Sequence, residues 1–340
     1  MKRRRGLDFV RAFGAIGIIA FHFYCHVEGS KLLFLTHANG EWGGSLNYLF
    51  FILSGFLLYS KNGNCGRFNL LEFYYKRWKA MIPAYLVVFA YAFIMNVSEY
   101  GEFFYLDIPN WRILLTLFGM DGYFSWIGTT YFITGEWFLG AILMAYGVYP
   151  LLQAWMKKSR WLLLAGLIGA YFVVLRVDFF GIPSAVNPIT CILCFYLGML
   201  LAFHSNLLDH IVVVLGSFLG TFILLIIPLP GSAVTKNILV GLSLFISLNK
   251  IGEALCKNEG VYRSVFLISS LSYYTFLLHH QIIYKVLEGF NSVGTFYSLG
   301  VLQIIILATL LFSYVLSIVM KSLFESRFYR RLETAIAKWF

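Results

Sequence analysis

Charge is the scarcest commodity in this 340-residue sequence. Asp, Glu, Lys and Arg together supply 12% of it, where soluble domains carry roughly a quarter. Hydrophobic residues reach 60%, far more apolar surface than a soluble core can hide. A water-soluble globular protein is therefore excluded, and a polytopic membrane protein is expected.

Other absences narrow the field further. Five scattered cysteines (Cys25, Cys65, Cys191, Cys194, Cys256) make no disulfide framework. Cys191 and Cys194 form a CxxC, but within an apolar run, so neither a redox function nor a metal site is expected there. No long linker, low-complexity tract or soluble domain interrupts the chain. No internal repeat is found either, which weighs against an inverted-repeat transporter.

What is present begins with the stretch Gly6 to Tyr24, directly behind the basic head Lys2-Arg3-Arg4-Arg5. It is long enough for a membrane helix, too long for a signal peptide, and has no small-x-small cleavage site. Yet it carries Asp8 and Arg11 near its start and His22 near its end. A charge in the bilayer interior costs at least ~2.5–3.5 kcal/mol by insertion scales, so something must offset it. Eleven residues at ~100° each bring Arg11 and His22 to one helix face, ~16 Å apart along the axis. Arg11 alone can snorkel to the cytoplasmic headgroups. His22 lies too far along for that, and the pair reads as a polar track.

Ten spans are expected, at about 7–28, 45–60, 81–97, 136–156, 161–177, 186–203, 211–227, 234–248, 265–287 and 299–320. Pro83, Pro150, Pro183, Pro188, Pro228 and Pro230 fall near their ends, as helix breakers. Twenty of the 26 Lys and Arg residues fall on one side of this arrangement. Only Lys31, Arg112, Arg176, Lys236 and Lys285 fall on the other. The positive-inside rule then puts both termini in the cytoplasm. The net charge of +10 is thereby largely topological, and no nucleic acid is expected as a partner. An amphipathic piece near 111–120 is expected to lie on the outer membrane surface, and the basic tail 321–340 to form an interfacial helix.

Several motifs now join up. Leu7-Asp8-Phe9-Val10-Arg11, followed by ten residues and His22, resembles the opening motif of the membrane-bound acyltransferase-3 family. Four later stretches resemble further motifs of that family, in the same order. They are Leu49 to Leu57 (LFFILSGFL), Phe73 to Lys79 (FYYKRWK) with Pro83, Gly135 to Gly140 (GEWFLG) leading to Tyr149-Pro150-Leu151, and Ser272 to His279 (SYYTFLLH). The likeness runs from residue 6 to about 320, leaving 321–340 as a tail. Two departures stand out. Many members have two or three arginines where this chain has Lys76-Arg77-Trp78-Lys79, and many carry Ser-Val-Glu-Glu-Gln where it has Gly140 to Met144.

The resemblance implies an all-α fold of ten core helices and an enzyme that moves acetyl or other acyl groups onto cell-surface carbohydrates. It also implies acetyl-CoA as donor and a bacterial cytoplasmic membrane as location, and no metal is expected. A glycan acceptor and polysaccharide-assembly proteins are the implied partners, with the lipid bilayer around them. Acyl transfer to a hydroxyl needs a base, a donor for the oxyanion and a hold on the thioester. His22 is expected as the base, with its own transient acylation as the variant, and Arg11 as the group that binds the donor or orients Asp8. Lys76, Arg77 and Lys79 are expected on the CoA phosphates. Glu136, Trp137 and His279 are expected to line the site, while His26, His37, His204 and His210 look ordinary. A transporter or flippase using the same track without chemistry is the alternative.

Overall fold

Apolar runs become helices here because a helix satisfies its own backbone hydrogen bonds within one segment, and four of them begin at a side-chain cap. The computed structural model describes residues 4–27, 42–63, 68–101, 108–131, 137–178, 181–227, 232–290 and 295–337. Among them there is no strand. The helices are α1 (Arg5–His26), α2 (Trp42–Asn62), α3 (Leu70–Tyr100), α4 (Ile113–Leu117), α5 (Asp121–Phe124) and α6 (Trp137–Val174). They continue with α7 (Pro188–Phe203), α8 (Ile211–Ile226), α9 (Ala233–Leu255), α10 (Glu259–Leu287), α11 (Thr295–Glu325) and α12 (Arg327–Ala337). Side chains of Asn69, Asn187, Ser232 and Asn258 accept hydrogen bonds from the first-turn N–H groups of α3, α7, α9 and α10. Gly101, at φ 73°, ends α3 in the left-handed conformation that glycine adopts without strain.

Six helices (α1, α2, α3, α6, α9 and α11) are long and apolar enough to cross a membrane, and α7 and α8 are shorter apolar helices. The protein is an integral membrane protein. Three local features differ from the expectation. α3 begins at Leu70, so half of the connection expected at 61–80 is helical and Pro83 lies inside the helix. Pro150 likewise lies inside α6. Membrane helices tolerate such prolines because neighbouring groups re-satisfy the freed backbone. The turn expected between the fourth and fifth spans is compressed to one residue: Ser159, at φ −155° and ψ 65°, breaks α6 between Lys158 and Arg160.

α2 is central and packs against α1, α7 and α9. Its crossing with α7 is a backbone contact. A Cβ on Gly55 would stand 1.9 Å from the Phe195 carbonyl oxygen, and one on Gly198 would stand 1.9 Å from that of Ile52. Only small residues allow membrane helices this close. α1 is held at its start by the α9–α10 hairpin. Asp8 accepts from Ser269 Oγ at 3.1 Å and from Tyr262 OH at 3.4 Å. Arg5 donates to the Cys256 carbonyl at 2.7 Å and to Glu259 at 2.5 Å. These contacts set the depth and rotation of α1, and with them the positions of Arg11 and His22.

At the other end of the chain α12 folds back on α3, where Lys79 Nζ meets Glu333 Oε1 at 2.5 Å. In the 111–120 piece, a short 3-10 turn and α4 leave Trp111, Leu114, Leu117 and Phe118 exposed, as a surface-lying segment would.

Candidate active site

Two adjoining cavities run along the inner face of α1. The first, about 340 Å³, lies among α1, α2, α3, α6 and α10. His22, Asn47, Trp137, Tyr146, His279 and His280 line it, with Arg11 and Ser54. The second, about 740 Å³, is bounded by Arg4, Asp8, Lys61 and Arg77 and again by Arg11, Ser54 and Tyr146. Three residues thus belong to both walls. Arg11, Ser54 and Tyr146 stand where the cavities adjoin, and together the cavities follow the polar track expected from the spacing of Arg11 and His22.

The two ends differ in chemistry. Four cations (Arg4, Arg11, Lys61 and Arg77) and one carboxylate, Asp8, bound the larger cavity. That balance favours an anion, and guanidinium groups match phosphate oxygens in a bidentate way. The guanidinium carbon of Arg77 lies 5.7 Å from the centre of the Tyr146 ring, and its buried Nε has no hydrogen-bond partner. The smaller cavity ends in imidazoles. The ring centre of His22 lies 4.9 Å from that of His279 and 4.2 Å from that of His280.

Of the residues expected from the sequence, Arg11, His22, Trp137 and His279 line the smaller cavity, and Asp8, Arg11 and Arg77 the larger. Glu136 lies outside the described residues. Among the described residues Lys76 and Lys79 line neither of these cavities. Lys76 pairs with Glu72 one turn away, and Lys79 pairs with Glu333 of α12. The helix explains the division: neighbouring positions point ~100° apart, so one member of the run Lys76-Arg77-Trp78-Lys79 faces the cavity.

The lining residues that were not expected include Arg4, Asn47, Ser54, Lys61 and Tyr146. Arg4 and Lys61 look topological in a sequence, because a positive-inside lysine and a phosphate-binding lysine are the same residue. His280 carried a faint signal, its adjacency to His279. Both reach the cavity because α10 presents that edge to α1.

A sequence profile for the acyltransferase domain, that of the acyltransferase-3 family, matches residues 4–319. The chain belongs to this family. No curated protein and no solved structure matches it. The acyltransferase thus carries the family's match over both cavities and all the helices that wall them, while all of α12 lies beyond the matched residues.

Proposed function

We propose that this membrane acyltransferase takes acetyl from cytoplasmic acetyl-CoA and delivers it to a hydroxyl of a cell-envelope, capsular or exported polysaccharide, in a bacterial cytoplasmic membrane. The observation that carries the reading is the pair of cavities meeting at Arg11, one rich in cations and the other ending in imidazoles. In this reading the chain crosses the membrane ten times with both termini in the cytoplasm. α6 supplies two crossings through its break at Ser159, and every other helix from α1 to α3 and from α7 to α11 supplies one.

The phosphates of CoA rest among Arg77, Arg4 and Lys61, and the pantetheine arm passes Arg11 towards the imidazoles. An extended arm reaches about the ~16 Å that separates Arg11 from His22 along the helix. His22 takes the proton from the acceptor hydroxyl as its oxygen attacks the thioester carbonyl. The oxyanion forms beside the side-chain donors of the chamber, Asn47 among them. Collapse breaks the C–S bond, and the leaving thiolate takes the proton from His22, so the enzyme ends as it began. Trp137 and Phe138 close the apolar side of the chamber against water.

The test incubates purified protein in vesicles with radiolabelled acetyl-CoA and cell-surface glycan, with CoA binding followed separately. Labelled glycan from the wild type, lost in His22→Ala while CoA still binds, is the expected result. Equal transfer by the variant would remove His22 from the mechanism. CoA-independent passage of glycan would favour the transporter.

A further inference from the structure

The chamber holds two more imidazoles than base catalysis needs. We propose that His22, His279 and His280 form a site for a divalent transition metal, Zn²⁺ by chemical preference, and that an ion there takes His22 out of service as a base. The second clause rests on the function proposed above, whereas the first does not.

Three observations carry the site. One nitrogen from each of the three rings lies within 4.8 Å of the other two. Tetrahedral Zn–N bonds of ~2.0–2.1 Å require nitrogens about 3.3 Å apart, so closure asks each ring to move inward by about 1 Å. A small change in side-chain torsion supplies that.

The second observation is the state of His279. It is 1% exposed, and its Nδ1 lies 2.7 Å from the carbonyl oxygen of Phe276. A carbonyl only accepts, so Nδ1 carries the proton, and in the neutral ring Nε2 keeps a lone pair. That Nε2 is buried without a hydrogen-bond partner. A backbone carbonyl fixing one nitrogen of a histidine while the other faces a metal is the usual arrangement of metal-ligating imidazoles.

The third observation is the donor set. Three imidazoles without a carboxylate or thiolate suit Zn²⁺, Cu²⁺ or Ni²⁺, and do not suit Mg²⁺ or Ca²⁺. Two ligands come from adjacent positions on α10 and one from α1, whose rotation the contacts of Asp8 and Arg5 fix. Such a tripod leaves the fourth position to the chamber. A bound ion occupies the lone pair that His22 needs to receive the hydroxyl proton, so metal binding and base catalysis exclude one another.

The experiment uses the full chain, with its purification tag removed and chelator-washed. Zn²⁺ is titrated against a chromophoric chelator, and Co²⁺ is added in a parallel sample to read its visible absorption. One Zn²⁺ per chain and an intense tetrahedral Co²⁺ band are expected. His279→Ala and His280→Asn should each weaken Zn²⁺ binding by more than about tenfold. His204→Ala, remote from the site, should bind as the wild type does. Melting temperature and CoA binding identify variants that fail to fold, and His280→Asn keeps the test open if His279→Ala does. No uptake by the wild type, or equal uptake by both folded variants, overturns the site.

In the transfer assay, Zn²⁺ should suppress acetyl transfer and a chelator should restore it. Stimulation by Zn²⁺ would overturn the exclusion while leaving the site. Uptake is read without acyl donor or acceptor, so metal binding by a protein that transfers nothing would count against the proposed function and not against the site.

Discussion

His22 and His279 come from helices near opposite ends of the chain, yet their ring centres lie 4.9 Å apart. The contact depends on how α1 is seated, because Asp8 and Arg5 at its start are held by α10 and by the turn before it. The chemistry of the chamber is thus tied to a polar clamp several turns away.

Replacing His22 by Ala is expected to lower acetyl transfer by about 10²–10⁴-fold, the usual worth of a positioned base. CoA binding should stay within a few-fold of wild type, because His22 lies at the far end of the track. Single-turnover transfer and equilibrium CoA binding, measured on the same preparation, check this. Loss of both together would mean that α1 has shifted.

Arg77→Gln and Lys76→Gln should separate cleanly. Arg77 bounds the cation-rich cavity, and a lost charged hydrogen bond costs about 1.5–3 kcal/mol, so KM for acetyl-CoA should rise roughly 10- to 100-fold. Lys76 makes an exposed ion pair along its own helix, worth under about 1 kcal/mol, so its variant should behave nearly as wild type. Equal effects would return the phosphate-binding role to the run as a whole.

Gly55→Ala should destabilise the protein. The new Cβ would meet the Phe195 carbonyl oxygen at 1.9 Å, and backbone cannot swing aside as a side chain does. Overpacking costs typically about 1–3 kcal/mol and more where a backbone must move. A lower melting temperature in detergent is expected. Gly147→Ala, which meets open space, should leave that temperature close to wild type.

Asp121 gives a pH dependence outside the spans. It is fully buried in the connection between α3 and α6, where Tyr85 OH donates to its Oδ2 at 3.2 Å. Burial pushes the carboxyl from 3.8 up to about 6, against the opposing effect of hydrogen bonding. A raised carboxyl contributes stability while protonated, below about 3.8, and loses it as pH rises through about 6. Amide exchange across 108–131 should therefore be slower at pH 5 than at pH 7.5, after correction for intrinsic rates. Asp121→Asn should abolish the difference.

Much of this architecture was legible because it is local. Hydropathy marked the long apolar helices, and the helical period alone put Arg11 and His22 on one face. The ordered motifs carried the family likeness that the profile match over 4–319 shows. Sequence reading failed where a residue type has two uses. Lys76, Arg77 and Lys79 are equivalent as text, and only the rotation of α3 decides which of them bounds a cavity. Arg4 and Lys61 passed as topological charges until α1 and α2 were seen to turn them to the same wall. The connection at 61–80 looked like a loop because it is charged. Asn69 caps it into helix from Leu70 onward.

By itself the sequence determined the solvent this protein lives in, its long apolar helices, and the single face that joins a cation to an imidazole. Those follow from transfer energies and from a repeat of 3.6 residues, which act between neighbours. The meeting of His22 with His279 and His280, and the sharing of Arg11 by two cavities, were decided only in the tertiary structure. Helix rotation and depth there depend on close crossings at Gly55 and Gly198 and on the contacts of Asp8, all between residues far apart in the chain.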